Sequence, residues 1–271
     1  LLSDAKVGEM NTLYLRVSDI AGTSSLVDTS KSFFLRQQTS DLLVVDANGD
    51  DSADPIYRSI LAQAYPSYDW LTLENNVPTF WNPSFGLFLS LYDKVFWFGD
   101  DAKQAAFNEQ LYLELASTAM QEYLNLGGKV LVSNKFPSSF IEDPATANQS
   151  AVFGFSPMDS LSTSSGQART RRDSLVRPLT AYSDRYPQLQ FANNQTGMDP
   201  FYPKDPTQSL YNYLPVATGG WVGPDVLCGQ TLFTNGEVNQ IFWSVELHQL
   251  NGDPTALQSF FEQVLLEEFD W

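Results

Sequence analysis

The chain has 271 residues, 43% of them hydrophobic, with 19 Phe, 12 Tyr and 6 Trp, enough to build a large core and to exclude global disorder. Thirty-two acidic against 15 basic residues leave a formal charge of -17, so nucleic acid and phosphate-rich membrane surfaces are repelled at long range. A single cysteine, Cys228, excludes an internal disulfide and a thiolate metal site, and no run reaches the roughly 18 apolar residues of a membrane span.

The chain starts at Leu1 rather than Met, which reads as a processed or truncated piece. In residues 11–17, Leu13, Leu15 and Val17 alternate with polar neighbours, the pattern of a half-buried strand. A turn-rich stretch follows, and Lys31–Arg36 reads as a second strand through Phe33 and Leu35. Two strands alone are marginal in water, so residues 1–38 either pack on a larger body or end a β-sandwich.

The texture changes after the polar linker Gln37–Ser40. Asp41–Asp46 contains a continuous apolar run, as expected of a strand covered on both faces. A helix is predicted over Asp54–Ala64, with Asp54 as N-cap and Pro55 in its first position. Strands are predicted at Tyr68–Leu73, Lys94–Phe98 and Lys129–Ser133. A short helix at 83–91 and a long one at 104–126 lie between them, the second closed by Gly127 and Gly128. This alternation predicts an α/β fold over 41–271, a mostly parallel sheet with helices on both faces. Residues 137–224 read as loops with a short helix near 172–182 and strands near 188–192 and 210–214. Thr234-Asn235-Gly236 between two apolar runs signals a hairpin, and an apolar-faced helix is predicted over 254–269.

The strand ending in Asp46, the segment Asp93-Lys-Val-Phe-Trp-Phe-Gly99 and Gly127-Gly-Lys-Val-Leu-Val-Ser-Asn134 resemble the class I glutamine amidotransferase-like superfamily, especially its secreted, trehalose-utilisation-like members. Residues 235–248 before the terminal helix add to the likeness, and residues 17–35 resemble the last strands of bacterial immunoglobulin-like repeats. The resemblance implies a flavodoxin-like, amidotransferase-like fold and an extracytoplasmic, cell-surface location. It also implies a cysteine on a sharp turn after the fourth strand. Here that turn is Ser133-Asn134-Lys135-Phe136-Pro137, without cysteine, so glutamine hydrolysis by a thiol is not supported. The family's histidine–carboxylate pair corresponds to Glu246 and His248, which are either relics or hydrogen-bonded residues at a strand end. Ser133 activated by His248 is the alternative nucleophile.

Asp46-Ala-Asn48-Gly-Asp50 places oxygen ligands at alternate positions, as at the start of a calcium loop, although Tyr57 stands where the bidentate Glu belongs. An Asx-turn loop between strand and helix explains the same residues without a metal. In open α/β sheets ligands bind beyond the carboxyl ends of the strands. There the loops gather Asp46, Asn48, Asp50, Asp100, Asp101, Asn134 and Lys135. Trp81 and Trp221, in Pro- and Gly-rich loops, are candidate stacking surfaces for a sugar; Trp97 and Trp243, inside strands, are core. Two functions follow: a non-catalytic binding or structural module for a glycan or another surface protein, or a secreted hydrolase using carboxylates at the strand edge. No cofactor other than calcium is expected.

Overall fold

The computed structural model describes residues 6–7, 9–30, 32–34, 37–48, 52–73, 84–106, 111–136, 150–161, 168–215 and 220–270. The chain divides into two compact units, Leu1–Thr39 and Ser40–Trp271. In the first, β1 (Met10–Asn11) pairs antiparallel with β4 (Phe33–Phe34), and β2 (Tyr14–Leu15) with β3 (Asp28–Thr29). The strand expected over 11–17 is therefore reduced to short pairings, and Leu13, Leu15 and Val17 are exposed rather than half-buried. The strand expected over 31–36 is described only at Phe33–Phe34.

The second unit is a mixed α/β body built on one large sheet. The strands β5 (Leu42–Ala47), β6 (Asp69–Thr72), β7 (Lys94–Asp100), β8 (Lys129–Lys135) and β17 (Val238–Trp243) run parallel in the spatial order β6-β5-β7-β8-β17. Counted along the chain this is 2-1-3-4-5, the flavodoxin-like order, whose reversal lies between β5 and β7. Beyond β17 the sheet turns antiparallel through β16 (Val226–Leu232), β15 (Ser209–Tyr213), β11 (Leu175–Pro178) and β12 (Leu189–Gln190). β14 (Phe201–Pro203) joins β16 to β9 (Met158–Leu161), and β10 (Arg169–Thr170) pairs with β13 (Gln195–Thr196).

Alternation along the strands sends side chains into two cores. Leu42, Val44, Phe96, Phe98, Leu131 and Ile241 meet α1 (Asp54–Ala64) and the terminal helix α6 (Pro254–Glu262). Leu43, Val45, Val95, Trp97, Val130, Val132 and Phe242 meet α2 (Ser84–Leu89), α4 (Tyr112–Asn125) and α5 (Val152–Phe155). Both faces are dry, so the parallel strands can be continuously apolar.

The boundaries differ from expectation in instructive places. Asp54 is the first helical residue; the N-cap is Ala53, with no side-chain cap bond. The helix expected over 104–126 is two described helices, α3 (Asp101–Ala106) and α4, with 107–110 outside the described residues. Gly127 ends α4 at φ +96, and a Cβ on Gly128 would fall 2.2–2.4 Å from the Tyr123 ring, so glycine is required at both. The helix expected near 172–182 is strand β11 and a 3-10 turn over Thr180–Tyr182, because residues there pair with Tyr211–Tyr213 of β15. The Asn235-Gly236 hairpin forms as expected, with Gly236 at φ +89. The terminal helix widens into a π-turn over Gln263–Glu268, which brings Phe269 and Asp270 beneath the sheet.

Candidate functional site

At the carboxyl edge of the sheet, alternation splits the residues that sequence reasoning had gathered together. Asp46, Asn48, Ser133 and Lys135 continue the face of Val44 and Leu131; Asn134 and the residues around Gly99 continue the opposite face.

On the first face Tyr57, fully buried on α1, is the organising side chain. Its hydroxyl accepts the His248 N–H at 3.0 Å and lies 3.4 Å from Ser133 Oγ. Burial pushes the Tyr57 phenol well above its ordinary range, so it stays protonated. Ser133, also fully buried, donates to Val245 O at 3.2 Å and accepts the Leu247 N–H at 2.8 Å. Its hydroxyl ties β8 to the segment after β17, and His248 is not among its partners. His248 Nε2 instead stands 2.7 Å from Gln249 Nε2, where the amide donates to an unprotonated ring nitrogen, and Nδ1 is 3.9 Å from Glu246 Oε1. Ser133, Glu246 and His248 thus share a neighbourhood without forming a nucleophile–base relay.

Asp46 is buried, and its Oδ1 accepts the Asn48 N–H at 3.1 Å, an Asx turn. Burial, followed by the neighbouring charge of Asp54, raises its pKa to about 6. Asp50 lies outside the described residues. Among the described residues no group of three or more His, Cys, Asp or Glu could hold a metal. Asp46 and Asn48 close an Asx turn at the end of β5.

On the opposite face Asp101 opens α3 and is completely buried. Asn134 and the Leu113 N–H approach it without completing a hydrogen bond to either oxygen, and burial raises its pKa to about 7. Asp100 points elsewhere: its Oδ1 accepts the Lys103 N–H at 2.9 Å and caps α3. A Cβ on Gly99 would sit 2.6 Å from Asn134 Oδ1, so the close approach of β7 to Asn134 needs glycine.

The amidotransferase-like resemblance implies N–H donors for an oxyanion at the turn after β8. Here the Phe136 N–H donates to Asp199 Oδ2 at 3.0 Å. Asp199 is 2% exposed; burial raises its pKa to about 7, with the Phe136 N–H and the Lys135 charge acting against that rise. Beside it lies a small cavity of ≈ 10 Å³, room for about one water molecule, whose lining includes Lys135, Gln195, Asp199, Ser244, Glu246 and Gln249.

Trp81 lies outside the described residues. Trp221 is half-buried against the core, its Nε1 bonded to Pro224 O at 3.0 Å, and does not line that cavity. Cys228 is buried in mid-strand opposite Trp243, where burial raises its thiol pKa well above the ordinary range.

No protein-family model matches the chain, and neither does any curated protein. Among solved structures, a ThuA-like protein from Parabacteroides merdae superposes with a TM-score of 0.51 at 13% identity, over 86% of this chain and 90% of that one. The fold is amidotransferase-like. That agrees with the layout read from Asp46, Trp97 and Ser133, and it shows the architecture alone. The immunoglobulin-like likeness of the first unit finds no counterpart in these comparisons. No helix among the described residues is long and apolar enough to cross a membrane.

Proposed function

We propose that this chain is a non-catalytic binding module, working outside the cytoplasm, with a polar ligand such as a glycan held at the carboxyl edge of the sheet. One observation carries this reading. At the turn where an amidotransferase-like enzyme presents its nucleophile and oxyanion donors, the Ser133 hydroxyl and the Phe136 N–H are both consumed internally. Ser133 is bonded to Val245 and Leu247, and the Phe136 N–H is occupied by Asp199. What remains beside that turn is a cavity of ≈ 10 Å³, too small to enclose a sugar, whose polar lining of Lys135, Gln195, Glu246 and Gln249 offers a ligand its rim alone. Planar amides and carboxyls are well suited to hydroxyl-rich ligands.

Ligand-observed NMR with glucose, N-acetylglucosamine and glucuronate tests it. Saturation transfer to at least one sugar, with a Kd on the order of millimolar that weakens in Glu246→Gln, is the expected result. Silence with all three sugars would remove the glycan.

A second reading rests on a separate feature. Asp199, whose pKa burial raises to about 7, and Glu246 face one cavity, and paired carboxyls with separated acidities serve glycosidases. Hydrolysis of nitrophenyl glycosides that disappears in both Glu246→Gln and Asp199→Asn would establish the hydrolase in place of the binding module.

A further inference from the structure

At the end of β17 opposite Glu246, the hairpin of Asn235 and Gly236 forms one wall of an open pocket of ≈ 470 Å³, within the size range of small-ligand sites. Its other walls come from the 3-10 turns that end at Tyr182 and Gln208 and from the π-turn that carries Glu268. Such π-turns gather at functional sites. This one presents Glu268, which Gln263 Nε2 holds at 3.1 Å, to Arg185 Nη1 at 3.0 Å. The guanidinium carbon is thereby held 5.4 Å from the centre of the Tyr182 ring.

Gln230 shows that the floor of this pocket is not arranged for stability alone. It follows Cys228 by two residues on β16, on the side of the first core, and is 3% exposed. Its Nε2 donates to Tyr182 OH at 3.2 Å and to Gln208 Oε1 at 3.0 Å, while its Oε1 is buried without a hydrogen-bond partner. An orphaned acceptor costs about 1–3 kcal/mol, and an apolar side chain would avoid that cost. What the amide supplies is position, since it fixes Tyr182 and Gln208 on adjoining walls. Around them stand groups with hydrogen-bonding capacity to spare. Among the described residues, the Arg185 guanidinium is hydrogen-bonded only through Nη1, and the Gln208 and Asn235 side-chain amides only through their oxygens. The Glu237 carboxylate is in no hydrogen bond or ion pair. Glu268 offsets the charge of Arg185, so the charge left over is that of Glu237, which disfavours an anion. Spare donors beside one carboxylate suit a neutral polyol, because each hydroxyl both donates and accepts.

We infer that this pocket is a separate ligand site that binds a neutral sugar. Glu237 accepts from the sugar hydroxyls, Gln208, Asn235 and Arg185 donate to them, and Gln230 is the positioning residue. The site lies at the other end of β17 from the rim of Lys135 and Glu246 and does not rest on the reading of that rim.

Chemical-shift mapping with glucose, galactose and mannose, each up to about 50 mM, tests it. At least one of the three shifts the backbone amides of Gly236 and Glu237 and the side-chain amide of Gln208, with a Kd on the order of millimolar, and glucuronate binds there more weakly. Glu237→Gln weakens the binding about tenfold, the scale of a hydrogen bond to a charged group. Gln230→Leu weakens it about threefold and keeps or raises the urea midpoint, whereas a glutamine retained only for the fold would lower the midpoint and leave the sugar bound as before. No shift at Gly236, Glu237 and Gln208 with any of the three sugars, or native affinity in either variant, overturns the site. Glucuronate binding as tightly as the neutral sugars overturns the ligand class. The two sites fail separately. Shifts confined to Phe136 and Glu246 remove this pocket and keep the carboxyl-edge rim, and shifts confined to the hairpin do the reverse.

Discussion

The two edges of the parallel sheet carry similar residues and treat them in opposite ways. At the amino edge, charges are matched. Lys94, 3% exposed, is ion-paired with Asp270 and lies 3.8 Å from Asp41, and it donates to Tyr65 OH at 3.1 Å. Lys129 donates to Phe269 O at 2.8 Å. At the carboxyl edge, Asp46, Asp101 and Asp199 are buried, and the charge of Lys135 acts on Asp199. One edge uses charge to pin the end of the chain under the sheet. The other retains carboxyls that burial has made weak acids. Protein interiors avoid such groups unless something offsets them, so the contrast separates an edge that matched charges stabilise from one that carries buried carboxyls at a cost.

The largest effect should come from breaking the matched edge. Lys94→Met keeps the apolar stem and removes the charge, leaving Asp41 and Asp270 facing each other across the end of β7. A loss of about 2–3 kcal/mol in urea unfolding is expected, at or below the scale for a buried pair because both carboxylates are about half exposed and screened by solvent. An unchanged midpoint would mean that the terminal segment is not anchored there and that the contrast between edges is only apparent.

The opposite edge should respond with the opposite sign. Asp101 has a folded-state pKa of about 7 against 3.8 in the unfolded chain, so the native state binds the proton more tightly. Its contribution therefore favours the fold at low pH, declines as pH rises from about 4 to about 7, and stays lost above that. Asp199, with the same direction and span, and Asp46, shifted to about 6, add to the decline. Asp101→Asn should flatten this slope and gain on the order of 2 kcal/mol at pH 8. Urea unfolding at pH 4.5, 6 and 8 checks it; a variant that runs parallel to the native chain would show that Asp101 does not titrate in this window.

The same contrast marks what the sequence could reveal. The parallel strands were legible because their run of apolar residues between Asp41 and Asp46 has one physical explanation, and Asn235-Gly236 specifies its hairpin locally. Residues 137–224 were not, because their strands are two to five residues long and held by distant partners: Phe201 pairs with both Leu161 and Val226. Asp46, Asn134 and Lys135 were rightly sent to the strand edge, but which face each occupies depended on register. Tyr57 and Asp199 carried no sequence signal as site residues. Tyr57 reaches Ser133 and His248 across 76 and 191 residues, and its helical spacing reads only as core. Asp199 sits in an irregular stretch with no motif.

The smallest effect distinguishes a strut from a relic of catalysis at Ser133. In Ser133→Ala the Val245 carbonyl and the Leu247 N–H each lose a buried partner in a fully enclosed place. Unsatisfied buried groups of this sort cost about 1–2 kcal/mol. The lost tie also loosens the segment after β17 that positions Glu246, so glycan affinity should weaken a few-fold alongside stability. Thermal unfolding and sugar titration of the same variant separate the possibilities. Weaker folding with a modest loss of affinity fits a strut. A chain as stable as the native one, with hydrolysis of nitrophenyl esters present before the substitution and absent after it, would make Ser133 a nucleophile and return the carboxyl edge to enzymology.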